Sequence, residues 1–213
     1  MYNMCWNQEV SLNTFLFSSF VLGLVIYNNT YTQYKIKEIN NVWWYLLFMC
    51  VISMQLAEFF VWRNAKNPSY NNLSSKLVFL IILLQPICSL MIISDNQVRN
   101  ILLCIYLVTA IPYSINKFIN YDFKTLISPC GHLNWNLDVT NVIFAGWLFF
   151  FLFSFFYEKK FMYFAFGLIT FLAIMYKYQY DKTSGSVWCW IVNSMSLYLA
   201  FYLLFYLPFY EKK

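Results

Sequence analysis

The residues with the strongest potential for chemistry lie in the stretch 54–63, where an acidic side chain, Glu58, sits near the end of a long apolar run. Gln55 precedes Glu58 by three residues and Trp62 follows it by four, so on an α-helix the three side chains share one face. An acidic side chain at the centre of a membrane helix costs about 2.5–3.5 kcal/mol even on lenient insertion scales. Glu58 is therefore expected to face the protein interior and to have a polar partner.

The composition places this stretch in a membrane protein. Of the 213 residues, 61% are hydrophobic and only 11% are charged, whereas an average soluble domain has about 25% charged residues. The lipid bilayer is thus the expected partner. The net charge of +5 comes without a basic cluster that could follow phosphates, which argues against nucleic-acid binding.

A membrane-spanning helix needs about 20 mostly apolar residues. The chain contains seven such runs, which predict an all-α bundle of seven transmembrane helices in a single domain over residues 1–213. The predicted spans are residues 10–27, 42–62, 77–94, 99–115, 141–157, 161–177 and 187–210. No Lys or Arg precedes the first run, whereas Lys35 and Lys37 follow it, which favours an outside or lumenal N-terminus and a cytosolic C-terminus.

Seven crossings would bring the N-terminus, the end of the second helix, the loop between the fourth and fifth helices and the start of the seventh to one side of the membrane. The only histidine, two acids and three of the six cysteines lie in these segments. We therefore predict a polar binding pocket that opens to this side and is formed by Gln55, Glu58, Trp62, Gln85, Trp188, Cys189 and Asn193. Trp135 and Trp190 are interpreted instead as part of an interfacial aromatic belt.

The cysteines and the histidine leave several chemistries open. Cys5 or Cys189 could act as a nucleophile, with His132 as the base and Glu58 as an orienting acid. Cys130 could equally form a disulfide with Cys189 or Cys5 if this side is oxidising. No metal site is predicted, because only Cys130 and His132 have a close spacing; the sole candidate ligands are Cys5, Cys130, His132 and Cys189.

Four short motifs give the chain a resemblance to a family. The first motif is Met4-Cys5-Trp6, and the second is the set Gln55, Glu58 and Trp62 on the second predicted helix. The third is the pair Gly131-His132, and the fourth is the run 186–189 at the start of the last span. In this order they resemble a family of small polytopic membrane proteins of unknown function found in bacteria and large DNA viruses. The resemblance implies a shared membrane fold and no known activity. In this family the cysteine directly follows the first methionine, whereas here it is residue 5. A role that requires a free N-terminal cysteine is therefore not expected for Cys5.

Three functions remain as alternatives. The protein could bind or translocate a proton, cation or small molecule at Glu58, it could be a structural or assembly protein without a small-molecule site, or it could be a Cys/His-dependent enzyme acting on a lipid or thiol substrate. No retinal is expected, since the last span has no lysine for a Schiff base. The cofactor and the substrate are not specified by the sequence, and self-association into a homo-oligomer is left open.

Overall fold

The computed structural model describes residues 6–210, which form an all-helical fold with one short hairpin. In chain order the elements are α1 (Gln8–Tyr31), a 3-10 turn (Lys37–Ile39), α2 (Val42–Arg63), α3 (Pro68–Leu90), α4 (Asn96–Asn120), β1 (Leu126–Ile127), β2 (Leu133–Asn134), α5 (Asn141–Tyr157), α6 (Phe161–Tyr178), α7 (Ser184–Asn193), α8 (Met195–Phe201), a π-helical stretch (Tyr202–Tyr206) and α9 (Leu207–Tyr210).

Six helical segments are long and apolar enough to cross a membrane, which indicates a multi-pass membrane protein. They are α1, α2, α3, α4, α6 and the continuous segment Ser184–Phe209. The remaining predicted span, α5, is apolar but has only 17 residues. By length and composition, the structure therefore supports six of the seven predicted crossings.

Polar caps fix where five of these helices begin. Each cap side chain accepts hydrogen bonds from backbone N–H groups of the first turn, which have no partner within the helix itself. The Asp95 carboxylate, for example, accepts from the amides of Gln97 and Val98 at 2.8 and 3.1 Å. These backbone hydrogen bonds hold the pKa of Asp95 below its usual value. The five caps are Asn7, Asn41, Asn67, Asp95 and Thr140.

The third helix differs most from its predicted bounds. It begins at Pro68, nine residues before the predicted start, with Asn67 as its cap and proline at the first helical position, where no N–H is needed. It ends at Leu90 rather than at Ser94. The backbone N–H and hydroxyl of Ser94 instead donate to the Glu158 carboxylate at 2.7 and 2.8 Å, which joins the α3–α4 turn to the end of α5.

The last predicted span, 187–210, also differs, because it is not one uniform α-helix. The helical segment begins at Ser184 and is interrupted at Ser194, between α7 and α8. A π-helical stretch then follows over Tyr202–Tyr206. Such wide turns insert a residue and rotate the side chains that follow relative to those before.

Helix α2 lies at the centre of the bundle. It packs against α1, α3 and α7, while α3 also packs against α5. At the α3–α5 contact, the Ser89 hydroxyl lies 2.5 Å from the Ser154 hydroxyl and donates to the Phe151 carbonyl at 2.6 Å. Helix α4 is peripheral, since it packs mainly on α3 and buries only Tyr106.

The loop over residues 121–140, which we call the 121–140 loop, folds back onto the bundle. Asn71 of α3 donates to the Thr125 carbonyl at 3.1 Å and accepts from the Thr125 amide at 3.0 Å, and the Ser75 hydroxyl lies 2.7 Å from that of Thr125. The polar start of α3 is therefore satisfied by this loop. Gly131, with φ 81°, forms the turn that joins β1 to β2 and leads into His132.

Candidate functional site

Glu58 lies on α2 with 3% of its surface exposed. The Gln55 side chain, which is fully buried, donates from Nε2 to Oε2 of Glu58 at 3.3 Å. Trp62, on the same face of α2, packs at the edge of the apolar cluster that surrounds this point. The predicted sharing of one face by Gln55, Glu58 and Trp62 therefore agrees with the structure, and the carboxyl group points into the protein.

Two other elements enclose the Glu58 carboxyl. The Ser186 hydroxyl on α7 and the Trp135 indole on the 121–140 loop interact electrostatically with it, although neither forms a hydrogen bond of standard geometry. Cys189, one turn further along α7, is buried in the same cluster and also interacts with the carboxylate. A helix, a second helix and a loop that are distant in sequence thus meet around one acid.

Within residues 6–210, several buried oxygen atoms have no hydrogen-bond donor, and three of them lie on α2 and α7. They include Oε1 of Gln55, Oε1 of Glu58 and Oδ1 of Asn193. Gln55 lies about 12 Å from the end of α2, and Asn193 about 13 Å from the start of α7, by the rise of an α-helix. Since α2 packs against α7, these two amides lie at similar depth in the bundle. A buried acceptor without a donor costs about 1–3 kcal/mol, so a missing partner is expected here.

Two of the predicted pocket residues belong to other parts of the structure. Gln85 is buried on α3 and lies about 26 Å from the start of that helix. Glu58 lies about 8 Å from the end of α2 that adjoins this start, so the two side chains are at different depths in the bundle. Trp188 faces the aromatic core between α5, α6 and α7, where its indole N–H donates to the Thr170 hydroxyl at 3.1 Å. The prediction that these two residues join Glu58 in one pocket is therefore not supported.

A cavity of ≈ 920 Å³ adjoins the site. It lies between α4 and α5, with α3 as its floor and the 121–140 loop across one end, and we call it the α4–α5 cavity. Trp135 and Ser186 line this cavity and are also neighbours of Glu58, so they separate the carboxyl from the open space. Pockets for small molecules usually measure about 300–1,000 Å³, and this volume falls within that range.

His132 occupies an aromatic cluster at the same end of the molecule. Its ring lies edge-on to Trp6 at 4.5 Å and to Tyr178 at 5.3 Å, and Trp6 lies 4.9 Å from Trp190. Burial lowers the pKa of His132 below its usual value; nearby Asp181 opposes this shift and Lys177 adds to it. The neutral imidazole is therefore packed as an aromatic ring, and its Nδ1 atom has no partner within the described residues.

The predicted cysteine chemistry does not assemble around this histidine. Cys130 is exposed and its thiol faces Ser128 and Thr183, while Cys189 is buried beside Glu58. Both are free thiols, so the predicted alternative of a disulfide between them is wrong for this structure. Cys5 lies outside the described residues. Within residues 6–210, no group of three or more His, Cys, Asp or Glu side chains could hold a metal ion.

Two features of the site were not predicted from the sequence. Trp135 is only 9% exposed and packs over Gly185, so its assignment to an interfacial belt is wrong. A Cβ atom at Gly185 would lie 2.7 Å from Cζ3 of Trp135, so the absence of a side chain at Gly185 lets the indole pack directly on α7. The Gly185–Ser186 pair at the start of an apolar helix was the only signal in the sequence for this contact.

Comparison with protein-family models, with curated proteins and with solved structures finds no match for this chain. The resemblance to the polytopic family of bacteria and large DNA viruses therefore stays a prediction. The class of protein is therefore given by its fold, which is all-helical with six apolar helices of spanning length.

Proposed function

We propose that the protein binds a proton or a small cation at Glu58, within the membrane, and exchanges it through the α4–α5 cavity. The observation that carries the proposal is the Glu58 carboxyl itself, which is buried and whose Oε1 atom has no hydrogen bond of standard geometry within residues 6–210. A group of this kind inside a membrane helix is a functional candidate by default, because its burial is costly and purely structural roles rarely require it.

Among residues 6–210, no cationic side chain forms an ion pair with Glu58. The single ion pair among the described residues joins Lys117 to Asp138, at the edge of the 121–140 loop. Because an isolated carboxylate is strongly disfavoured in a low-dielectric interior, it must take up a proton or a cation. The free acceptors on Gln55 and Asn193 favour a ligand that donates hydrogen bonds or coordinates oxygen, such as hydronium, sodium or a small ammonium group.

The proposal includes α5 as a seventh crossing, which would place the two termini on opposite sides of the membrane. Helix α5 would span about 25 Å, roughly 5 Å less than the hydrocarbon core. Local bilayer thinning accommodates such a mismatch at modest cost, and α5 packs between α3 and α6, which are themselves long enough to cross. With Lys35 and Lys37 following α1, the N-terminus would be outside or lumenal and the C-terminus cytosolic.

Access from the cavity gives the proposal its second support. Among the described residues, Trp135 and Ser186 are the only side chains that both interact with Glu58 and line the cavity. A ligand that moves between the cavity and the carboxyl would therefore pass these two side chains. The cavity itself is lined mainly by apolar and aromatic side chains, and its polar lining includes several amides, Asp138 and Lys182.

Labelling with a hydrophobic carbodiimide tests binding directly, since this reagent adds to protonated carboxyl groups in apolar surroundings. We expect Glu58 to be modified in the purified protein, and sodium or a lower proton concentration to slow the reaction. Glu38 is exposed and serves as the matched position. Unmodified Glu58 in the folded protein, or a rate indifferent to both cation and pH, would refute the binding site.

Flux through proteoliposomes tests translocation separately. Wild-type protein, Glu58→Gln and the control Glu38→Gln would be reconstituted, and proton or sodium gradients imposed. We expect flux with wild type and with the control, and none with Glu58→Gln. If Glu58 is labelled but no flux is seen, the protein binds the cation without transporting it. Equal flux in all three samples would show that Glu58 takes no part in transport.

A further inference from the structure

A groove separate from the α4–α5 cavity lies on the surface of the helical bundle where α2 ends and α3 begins. It has a volume of ≈ 730 Å³ and combines two cationic side chains with an apolar floor. The cations are Arg63 and Lys76. The apolar part is formed by exposed side chains of the two helices and by the end of α4: Phe60, Leu73, Leu77, Leu80 and Phe118. This groove does not include Glu58 and lies apart from the α4–α5 cavity.

The position of Lys76 is unusual for a helix that crosses a membrane. It lies about 12 Å beyond the start of α3, by the rise of an α-helix, and it is half-buried between apolar neighbours. Side chains on a helix point towards its N-terminus, so the ammonium group extends towards the membrane surface and towards Arg63. Such snorkelling reduces the cost of the charge but does not remove it.

Neither cation is neutralised within the part of the chain that the structure describes. Across residues 6–210, Arg63 and Lys76 take part in no ion pair. Two like charges that line one groove repel each other unless an anion lies between them. The neighbouring Tyr70 is 58% exposed and can donate a hydrogen bond from its hydroxyl group. The groove therefore offers two positive charges and a donor at one end and hydrocarbon contact along the rest.

We propose that this groove binds an anionic phospholipid of the surrounding bilayer. Its phosphate lies between Arg63 and Lys76, and one acyl chain follows the apolar side chains of α3. Phosphate oxygens can accept two parallel hydrogen bonds from the planar guanidinium group of arginine. A lipid with a choline headgroup is disfavoured, because its quaternary ammonium would face two cations.

Native mass spectrometry of the full chain in detergent, with phosphatidylglycerol and phosphatidylcholine supplied in equal amounts, tests the proposal. We expect bound phosphatidylglycerol to exceed phosphatidylcholine at least tenfold in wild type. The double variant Arg63→Gln/Lys76→Gln is expected to lose this preference. The matched control, Lys35→Gln/Lys37→Gln, removes two charges outside the groove and is expected to retain it.

Further variants separate the site from general effects of charge and folding. The swap Arg63→Lys/Lys76→Arg keeps both charges and is expected to keep the preference, whereas Leu77→Trp fills the apolar floor and is expected to reduce lipid binding several-fold with the charges intact. Soluble glycerol phosphate is expected not to compete. Equal preference in wild type and the double glutamine variant, loss in the lysine control, or competition by glycerol phosphate would overturn the proposal.

Discussion

The contact between Gly185 and Trp135 makes a quantitative prediction about the site. In Gly185→Ala, the new Cβ would lie 2.7 Å from Cζ3 and 3.0 Å from Cε3 of the indole. Carbon atoms pack at about 3.5–4.0 Å, so the ring or the helix must move by roughly 1 Å. Overpacking of this kind costs about 1–3 kcal/mol. The gain in helix propensity on replacing glycine is at most about 1 kcal/mol, so we expect a net loss of stability.

Unfolding in detergent, followed by tryptophan fluorescence, measures this loss as a lower midpoint. Because Trp135 also faces Glu58, its displacement should change the rate at which Glu58 reacts with a hydrophobic carbodiimide. Gly23→Ala is the matched control, since a Cβ there meets nothing within 4 Å, and it should leave both readouts unchanged or raise stability slightly. Wild-type stability together with wild-type labelling in Gly185→Ala would refute the placement of Trp135.

Other contacts lead to three further expectations. Asn71→Ala removes both hydrogen bonds to Thr125 and should lower the free energy of unfolding by about 1–3 kcal/mol, with faster proteolysis of the 121–140 loop. Burial lowers the pKa of His132, so the unfolded chain binds its proton first and stability should fall from about pH 6.5 downwards, as a series of unfolding midpoints would measure. A mild oxidant should join Cys50 to Cys88, since their Sγ atoms lie 3.7 Å apart and a disulfide needs about 2.05 Å; intact mass would detect the loss of two hydrogens.

Each of these expectations has its own control. Asn120→Ala alters an exposed amide that bonds only to its own helix, and it should not affect proteolysis of the loop. His132→Phe keeps an aromatic ring and should flatten the decline below neutral pH; a decline of unchanged size would assign it to another group. Cys104→Ser should leave the cross-link intact, whereas a cross-link that involves Cys104 would contradict the pairing of α2 with α3.

The sequence predicted the apolar helices well because burial in hydrocarbon imposes a length and a composition that are visible residue by residue. It failed at the start of α3, where Asn71 and Ser75 look like loop residues. Their polar groups are satisfied by Thr125, which lies about 50 residues further along the chain, and no local pattern reports such a contact. The cap and proline at Asn67 and Pro68 were the signal that could have corrected this boundary.

The site was predictable only where one helix carries it. Gln55 and Glu58 follow from the spacing on α2, since helical periodicity determines which side chains share a face. Trp135 and Ser186 could not be found in that way, because their approach to Glu58 depends on how a loop folds back over α7. The proximity of Cys50 to Cys88 was missed for the same reason, as it depends on the relative rotation of two packed helices.

The sparse packing of α4 has a consequence for how the molecule moves. With Tyr106 as its one buried residue, α4 is the least buried of the six helices of spanning length, and local opening is favoured where few apolar contacts are buried. Outward motion of α4 would widen the cavity between α4 and α5 while leaving α2 in place at the centre of the bundle. The cavity wall formed by α4 and the acid on α2 are thus carried by different helices, so a shift of α4 would change the width of the α4–α5 cavity without moving Glu58.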